Sequence, residues 1–595
     1  MSDPYASGKV PLKIFWEALE RRLAEASADE LRAILRAMAV DVCPTERSSF
    51  LARLGVGPVS ALPKRTPWEN LLADIDDLAE QIKDTMEDVV QWEEEEYGWE
   101  DERDSLGPYD GFLEALTALL ERTGLAFDSG ETALALRAYE RLLELMRLKD
   151  DYDRGIHPAD LPKEEMQEAA ARYLRAVYEN APLDRRPAIL YEQMKGARSQ
   201  FGLLQCPVML EDLIKISPRS LPDQEAFLSG WIDFLRSESG PESDAWLREA
   251  IRLSEGTEGL KRLALTEGQK HPRAYLDWFA ALEKAGKHTA VLTAARQVLE
   301  DGLHAGLPIR AVLADYLCRA ADRLSDSKTL LYGRWEAFTA EPIMTRLLDL
   351  WEAAPAGEER VTWMRRAAEH MEATMVRQHR GEPVSAGLSW PLDHLERPVR
   401  PGPLLILHAR LLAGDLDAAY RSVTDRPVLG WSNASNDQAV AVTFFLILLS
   451  GWPADGLPPN LAALWSQTMM AGIGSGYCAA EGSLLQRLKG IYAAHLVSGV
   501  RTGILALSRE KQQERLDWCL DVVRRRVEAI VGNQCRASYG KAAILTVACA
   551  EALRLRGEIA ASRAFVAEIA GRFPRHRIFQ AELKKAVQEM ERAFR

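Results

Sequence analysis

Missing from this 595-residue chain are the signatures that would place it quickly. Its seven cysteines, Cys43, Cys206, Cys318, Cys478, Cys519, Cys535 and Cys549, form no CxxC pair, so neither a zinc framework nor a dithiol redox motif is implied. Most sit in apolar stretches, where a free cysteine packs as a small hydrophobe in a reducing compartment. The ten histidines are scattered, with no HExxH or HxxxH pair. The longest apolar run, Ala439 to Leu449, falls well short of the roughly 20 residues that cross a bilayer, and reads as a helix buried on all sides. The first residues, Met-Ser-Asp-Pro, carry no apolar signal core, and a cytoplasmic location is expected. Alternating β-branched runs are almost absent.

Phosphate chemistry is equally thin. Gly472-Ile-Gly-Ser-Gly476 lacks the GK[ST] ending and the preceding apolar strand of a phosphate loop, and reads as a hinge. The chain carries 74 basic and 88 acidic residues, a formal net charge of −14, which repels nucleic-acid backbones and sets nucleic acid aside as principal partner. Arg524, Arg525 and Arg526 form a local basic run that suits a helix C-terminus beside an acidic neighbour. Pairs such as Asp150 and Asp151 are ordinary helix-end charges. Cys478, in a Gly-rich loop, has nothing near it in sequence to lower its pKa. No catalytic, cofactor-binding or metal-binding residue is assigned, and no cofactor or membrane partner is expected.

What is present is helix. Hydrophobic residues make up 47% of the chain and charged residues 27%, enough for a large core, while the length exceeds what one compact core accommodates. Residues 1–67 read as an N-terminal bundle, with helices from Leu12 to Ala26, from Glu30 to Val40 behind an Asp29 cap, and from Thr45 to Leu54. Residues 68–108 hold a long helix running into Trp92 to Asp104, where eight of thirteen residues are acidic. Like charges at that density favour a solvated segment. Trp92, Tyr97 and Trp99 inside it, together with Trp431, are candidate partner contacts, because aromatics held in water mark interaction sites.

From Tyr109 onward the chain reads as helix pairs. Around Gly130, Gly286, Gly414 and Gly557, apolar residues precede the turn. Ala135, Val291, Ala419 and Ser562 each follow five positions later. A small or apolar residue there lets the second helix lie close against the first. Pro574 follows Gly557 by seventeen positions. These units resemble tetratricopeptide-type repeats, most closely over the ~34 positions from Lys541. Signature Trp and Gly residues of the first helix are mostly missing and the spacing is irregular, leaving room for HEAT-like pairs between. The resemblance implies an all-α solenoid of bacterial type that binds a protein or peptide. It speaks to fold more than to function.

Two breaks interrupt the array. Gly381 to Pro403, with five prolines, is the expected linker between a first array, 109–380, and a second, 404–595. Loops 424–436 and 451–482 are polar or Gly-rich; Gly430, Trp431, Ser432, Gly472, Gly474 and Gly476 are candidate flexible or cleavable positions. A non-enzymatic scaffold or adaptor is the first reading. The alternative is a regulatory substrate of a bacterial stress or defence system of the CRISPR-associated protease kind, cut in one of these loops to release a lobe. A third is an enzyme whose site forms between lobes, which would need a deep polar cavity with perturbed titratable groups.

Overall fold

The computed structural model describes residues 68–93, 107–150, 154–203, 207–302, 305–380, 397–431, 436–451, 456–471 and 481–595, with scattered positions between 22 and 38. The N-terminal bundle therefore lies largely outside the described residues. Asp29, the expected cap of the second helix, also lies outside the described residues. The Ser27 backbone N–H donates to Glu30 Oε2 at 2.7 Å, and the Glu30 N–H donates to Ser27 Oγ at 3.3 Å. This reciprocal capping box satisfies two donors at once.

Among the described residues the chain is all-α, and its contacts divide into two compact units, Met1–Leu260 and Lys261–Arg595. The first unit holds α1 (Leu71–Glu93), α2 (Leu113–Asp128), α3 (Thr132–Leu145), α4 (Lys163–Asn180), α5 (Arg186–Gln200), α6 (Leu210–Lys215), α7 (Gln224–Ser237) and the start of α8 (Pro241–Glu267). Helix α8 corresponds to two expected helices; Gly256, at φ 64°, ψ −149°, breaks the helical path between them. Consecutive helices pack as antiparallel pairs around a core rich in rings. Trp231 stacks on Phe227 and Phe234 at 5.7 and 6.0 Å, and Tyr191 meets Trp246 edge-on at 5.7 Å. Fully buried Arg175 braces the irregular stretch after α6, donating to the carbonyls of Leu213, Arg219 and Ser220. Buried Glu249 accepts the N–H groups of Leu210 and Glu211 at 2.8 and 2.9 Å, capping α6 from α8.

The second unit continues with α9 (Arg273–Lys284), α10 (His288–Glu300), α11 (Pro308–Arg323), α12 (Ser327–Ala340), α13 (Met344–Ala353), α14 (Glu358–His379), α15 (Pro403–Leu412) and α16 (Leu416–Val423). It then adds α17 (Gln438–Ser450), α18 (Pro459–Ala471), α19 (Glu481–Thr502), α20 (Arg509–Val527), α21 (Tyr539–Leu555), α22 (Ile559–Arg572) and α23 (Arg577–Ala593). Every residue of α17 is buried, its apolar run interrupted only by Thr443, whose hydroxyl donates to Ala439 O. Amphipathic α23 covers α21 with Phe579, Leu583, Ala586 and Met590.

The four glycine turns join their helices in one way. Gly130, Gly286, Gly414 and Gly557 have φ of 96°, 68°, 69° and 83°, which only glycine adopts cheaply. At each, the glycine N–H and the following N–H donate to carbonyls three and five residues back, as in Gly130 to Phe127 O at 2.9 Å and Glu131 to Ala126 O at 3.0 Å. This closure satisfies the orphan carbonyls of the first helix and reverses the chain. Ala135, Val291, Ala419 and Ser562 are all buried at the pair contact.

The Pro-rich stretch does not separate two cores. A single hydrophobic cluster runs from Phe338 through Met364, Met371, Leu404 and Leu407 to Met590. Helices α14 and α15, which flank the prolines, pack directly on each other. Prolines end helices, but they do not prevent the helices on either side from sharing a core. The division of contacts lies instead at Leu260/Lys261. Residues 381–396 are outside the described set.

Candidate interaction surface

The expected contact residues fare unevenly. Tyr97, Trp99 and the Trp92 side chain lie outside the described residues, as do Ser432, Gly472, Gly474 and Gly476. Gly430 is exposed with φ 74°. Trp431 is not an exposed loop aromatic: it is 7% accessible and belongs to the core of the second unit. The Arg526 guanidinium lies 4.2 Å from its ring centroid and donates to Val428 O. Gln438 Nε2 donates to Val423 O and Arg426 O, and Asn436 Nδ2 to Pro427 O and Leu429 O. The described part of 424–436 is thus pinned at both ends, because its own side chains supply the acceptors and donors its backbone needs.

The basic run resolves as ordinary structure. Arg524 forks onto Glu568 at 3.0 Å, Arg525 pairs with Asp521 at 2.9 Å, and Arg526 is the Trp431 partner just described. Two of them line an open, charged groove of about 520 Å³ with Asp521, Glu528, Asn533 and Arg572. Cys318, Cys519 and Cys549 are buried and Cys535 is exposed; burial pushes the Cys318 thiol up to about 12, unsuited to nucleophilic work. Among the described residues no three His, Cys, Asp or Glu side chains gather as a metal site would need, and no helix is long and apolar enough to cross a membrane.

A different surface emerges on α12 and α14. Trp335 of α12 and Trp363 of α14 have ring centroids 5.4 Å apart at 55°. Both are half-buried and packed against the core, Trp335 through Phe338 at 6.3 Å. Arg366, one helical turn beyond Trp363, lays its guanidinium 4.5 Å from the Trp335 centroid and 4.6 Å from that of Trp363. His370 completes the cluster, edge-on to Trp335 at 5.9 Å; burial lowers its pKa, leaving it neutral at physiological pH. The platform is rigid, aromatic and topped by an exposed cation.

Arg366 differs from the other stacked arginines. Arg319 over Tyr316 pairs with Glu283, Arg515 over Tyr420 with Asp417, Arg524 over Phe565 with Glu568, and Arg554 over Phe594 with Glu591. Arg360, over Trp351, donates to Ala354 O. Among the described residues Arg366 has two tryptophan faces and no carboxylate or carbonyl acceptor. Its N–H edge remains free for an acceptor from outside the described residues. Trp335 and Arg366 are thirty-one positions apart in sequence, so only a helix-pair register could have signalled the pairing.

These two units of stacked helix pairs define a helical repeat protein. No family model matches the chain, and no curated protein matches it. Among solved structures it is similar to a "circular tandem repeat protein with novel repeat topology and enhanced subunit contact surfaces", at 15% identity over 81% of this chain and 96% of that one, with a TM-score of 0.13. A superposition that loose carries no inference.

Proposed function

We propose that this chain is a non-enzymatic protein-interaction scaffold of bacterial type, built from tetratricopeptide-like helix pairs with less regular pairs between them. The observation that carries this reading is the Trp335–Arg366–Trp363 stack. Tryptophan and arginine dominate the energetics of protein interfaces, and a stacked guanidinium loses little entropy when it meets an acceptor. The Schellman-type turns at Gly130, Gly286, Gly414 and Gly557, each followed by a buried residue five positions on, support the repeat assignment.

Affinity capture of the tagged chain from its native cell tests the proposal. A protein partner recovered at near-stoichiometric level, and lost with the paired substitutions Trp363→Ala and Arg366→Ala, is the expected result. Recovery of none with the wild-type chain sinks the scaffold reading.

A further inference from the structure

We infer that the α12/α14 face recognises an acidic peptide segment, one carboxylate seating on Arg366 and a second on Arg377. This rests on the scaffold reading and gives its ligand a chemical class. The Arg366 guanidinium is exposed and lies 4.5 and 4.6 Å from two indole centroids, and a guanidinium carries parallel N–H donors that a carboxylate can fill bidentately. Elsewhere in the molecule several stacked arginines meet a carboxylate supplied by the chain itself, as Arg319 meets Glu283 at 2.8 Å and Arg524 meets Glu568 at 3.0 Å, while Arg360 and Arg526 donate to backbone carbonyls. Here the same half of the arrangement is built and the acid is missing among the described residues.

The face continues along one side of α14. Arg366, His370, Ala373 and Arg377 follow one another at helical spacing. Arg377 is exposed and touches Thr374 Oγ1 at 3.2 Å, with no carboxylate partner among the described residues. Neutral His370 and Ala373 leave room for an apolar residue between the two cations. Eleven residues of α-helix separate the arginines by about 16 Å. An extended peptide rises about 3.3 Å per residue, so its two acids should stand about five residues apart. Charge complementarity and the tryptophan floor together select an acidic partner with an apolar centre over a basic or purely polar one.

Fluorescence anisotropy with the full chain provides the test. The probe is a labelled peptide with two glutamates five residues apart around a leucine, compared with the same peptide carrying glutamines. Micromolar binding of the glutamate peptide and at least tenfold weaker binding of the glutamine peptide are expected. Arg366→Ala should weaken binding tenfold or more, Arg366→Lys about fivefold, since the ammonium keeps charge and loses the fork, and Arg377→Ala about threefold. Arg319→Ala, a stacked arginine already paired, should leave binding unchanged.

Matching thermal unfolding curves establish that each variant is folded, and Arg366→Gln stands in should the alanine variant fail that criterion. The inference is overturned if the wild-type chain ignores the glutamate peptide, if glutamine binds equally, or if Arg366→Ala and Arg366→Gln bind within twofold of wild type. A native partner whose capture depends on Arg366 while the glutamate peptide is ignored would remove the acidic class and leave the scaffold standing. Loss of both would remove both.

Discussion

Acid should loosen the second unit through two buried histidines, and the size of the effect can be worked out. His408 on α15 is fully buried, its Nδ1 2.8 Å from the Tyr492 hydroxyl and its Nε2 without a partner. His495 on α19 is buried against Trp351, with Nε2 donating to Leu411 O at 3.1 Å. Burial drives both pKa values down to about 4, and Arg360 adds to the shift at His495. An unfolded histidine titrates near 6.5, so between about pH 6.5 and 4 the unfolded chain binds protons that the folded one refuses. Stability is therefore fully present above the unfolded value and lost as pH falls towards 4. From pH 7.5 to 5 the loss is roughly 2 kcal/mol per histidine, about 4 kcal/mol together. Glu551 and Asp437, whose carboxyl pKa values burial raises, oppose this, because their contribution is lost as pH rises. The clean quantity is thus a difference between chains. His408→Asn keeps an atom near Nδ1 for Tyr492, and His495→Gln keeps one near Nε2 for Leu411 O. Native-state hydrogen exchange of the α17 amides at pH 5 and 7.5 measures it, with α3 of the first unit as internal reference. A wild-type-minus-variant difference that changes by less than about 1 kcal/mol over that interval would refute the reasoning.

Glu551 should be the costliest carboxylate to delete: it accepts from Asn460 N, Asn460 Nδ2 and Leu461 N, all buried, so Glu551→Ala should lower the unfolding free energy by about 3 kcal/mol and Glu551→Gln by less, read from urea midpoints. A Cβ at Gly414 would meet the Ile504 side chain at 2.8 Å and its carbonyl at 2.9 Å, whereas one at Gly286 meets open space. Both turns are left-handed, so Gly286→Ala should cost about 1 kcal/mol and Gly414→Ala at least twice that in thermal unfolding. Removing the buried stack with Arg526→Ala frees Val428 O and one face of Trp431; chymotrypsin should then cut after Leu429 or Trp431 several-fold faster than in the wild type, and equal rates would contradict the pinned loop.

The helices were readable because apolar residues at three- and four-residue intervals have one economical arrangement, and glycine advertises the left-handed turn that joins a pair. The same turn closes at Ser325, with φ 57° and Asp326 N donating to Ala321 O, and again at Gln534. Neither residue announces a left-handed conformation, so those two turns were invisible as repeat units. Trp431 misleads for a related reason: the polar Ser-Asn-Ala-Ser-Asn run that follows it suggests exposure, and the burying partner, Arg526, comes ninety-five residues later. Prolines between α14 and α15 suggested two cores, since local sequence records where a helix stops and not what its faces touch. The Trp335–Arg366 platform was hidden by the same limit, as each residue is unexceptional until α12 and α14 pack.

Net charge adds a kinetic consequence to that platform. The chain carries −14 overall, so an acidic peptide approaches against a repulsive field even though its binding residues are cationic. The two fields differ in range. Repulsion by the whole molecule acts over distances that salt screens readily, with a Debye length near 14 Å at 0.05 M and about 8 Å at 0.15 M. The Arg366 contact acts at hydrogen-bond distance over tryptophan faces that exclude water on one side, where screening is weaker. Raising salt across that interval should accordingly speed association of the glutamate peptide while speeding its dissociation only modestly. Stopped-flow anisotropy separates the two rates. Association that slows with salt, as it does where a charged surface steers its ligand, would mean that the peptide is drawn by a diffuse cationic patch and not captured at the Arg366 and Arg377 guanidinium groups.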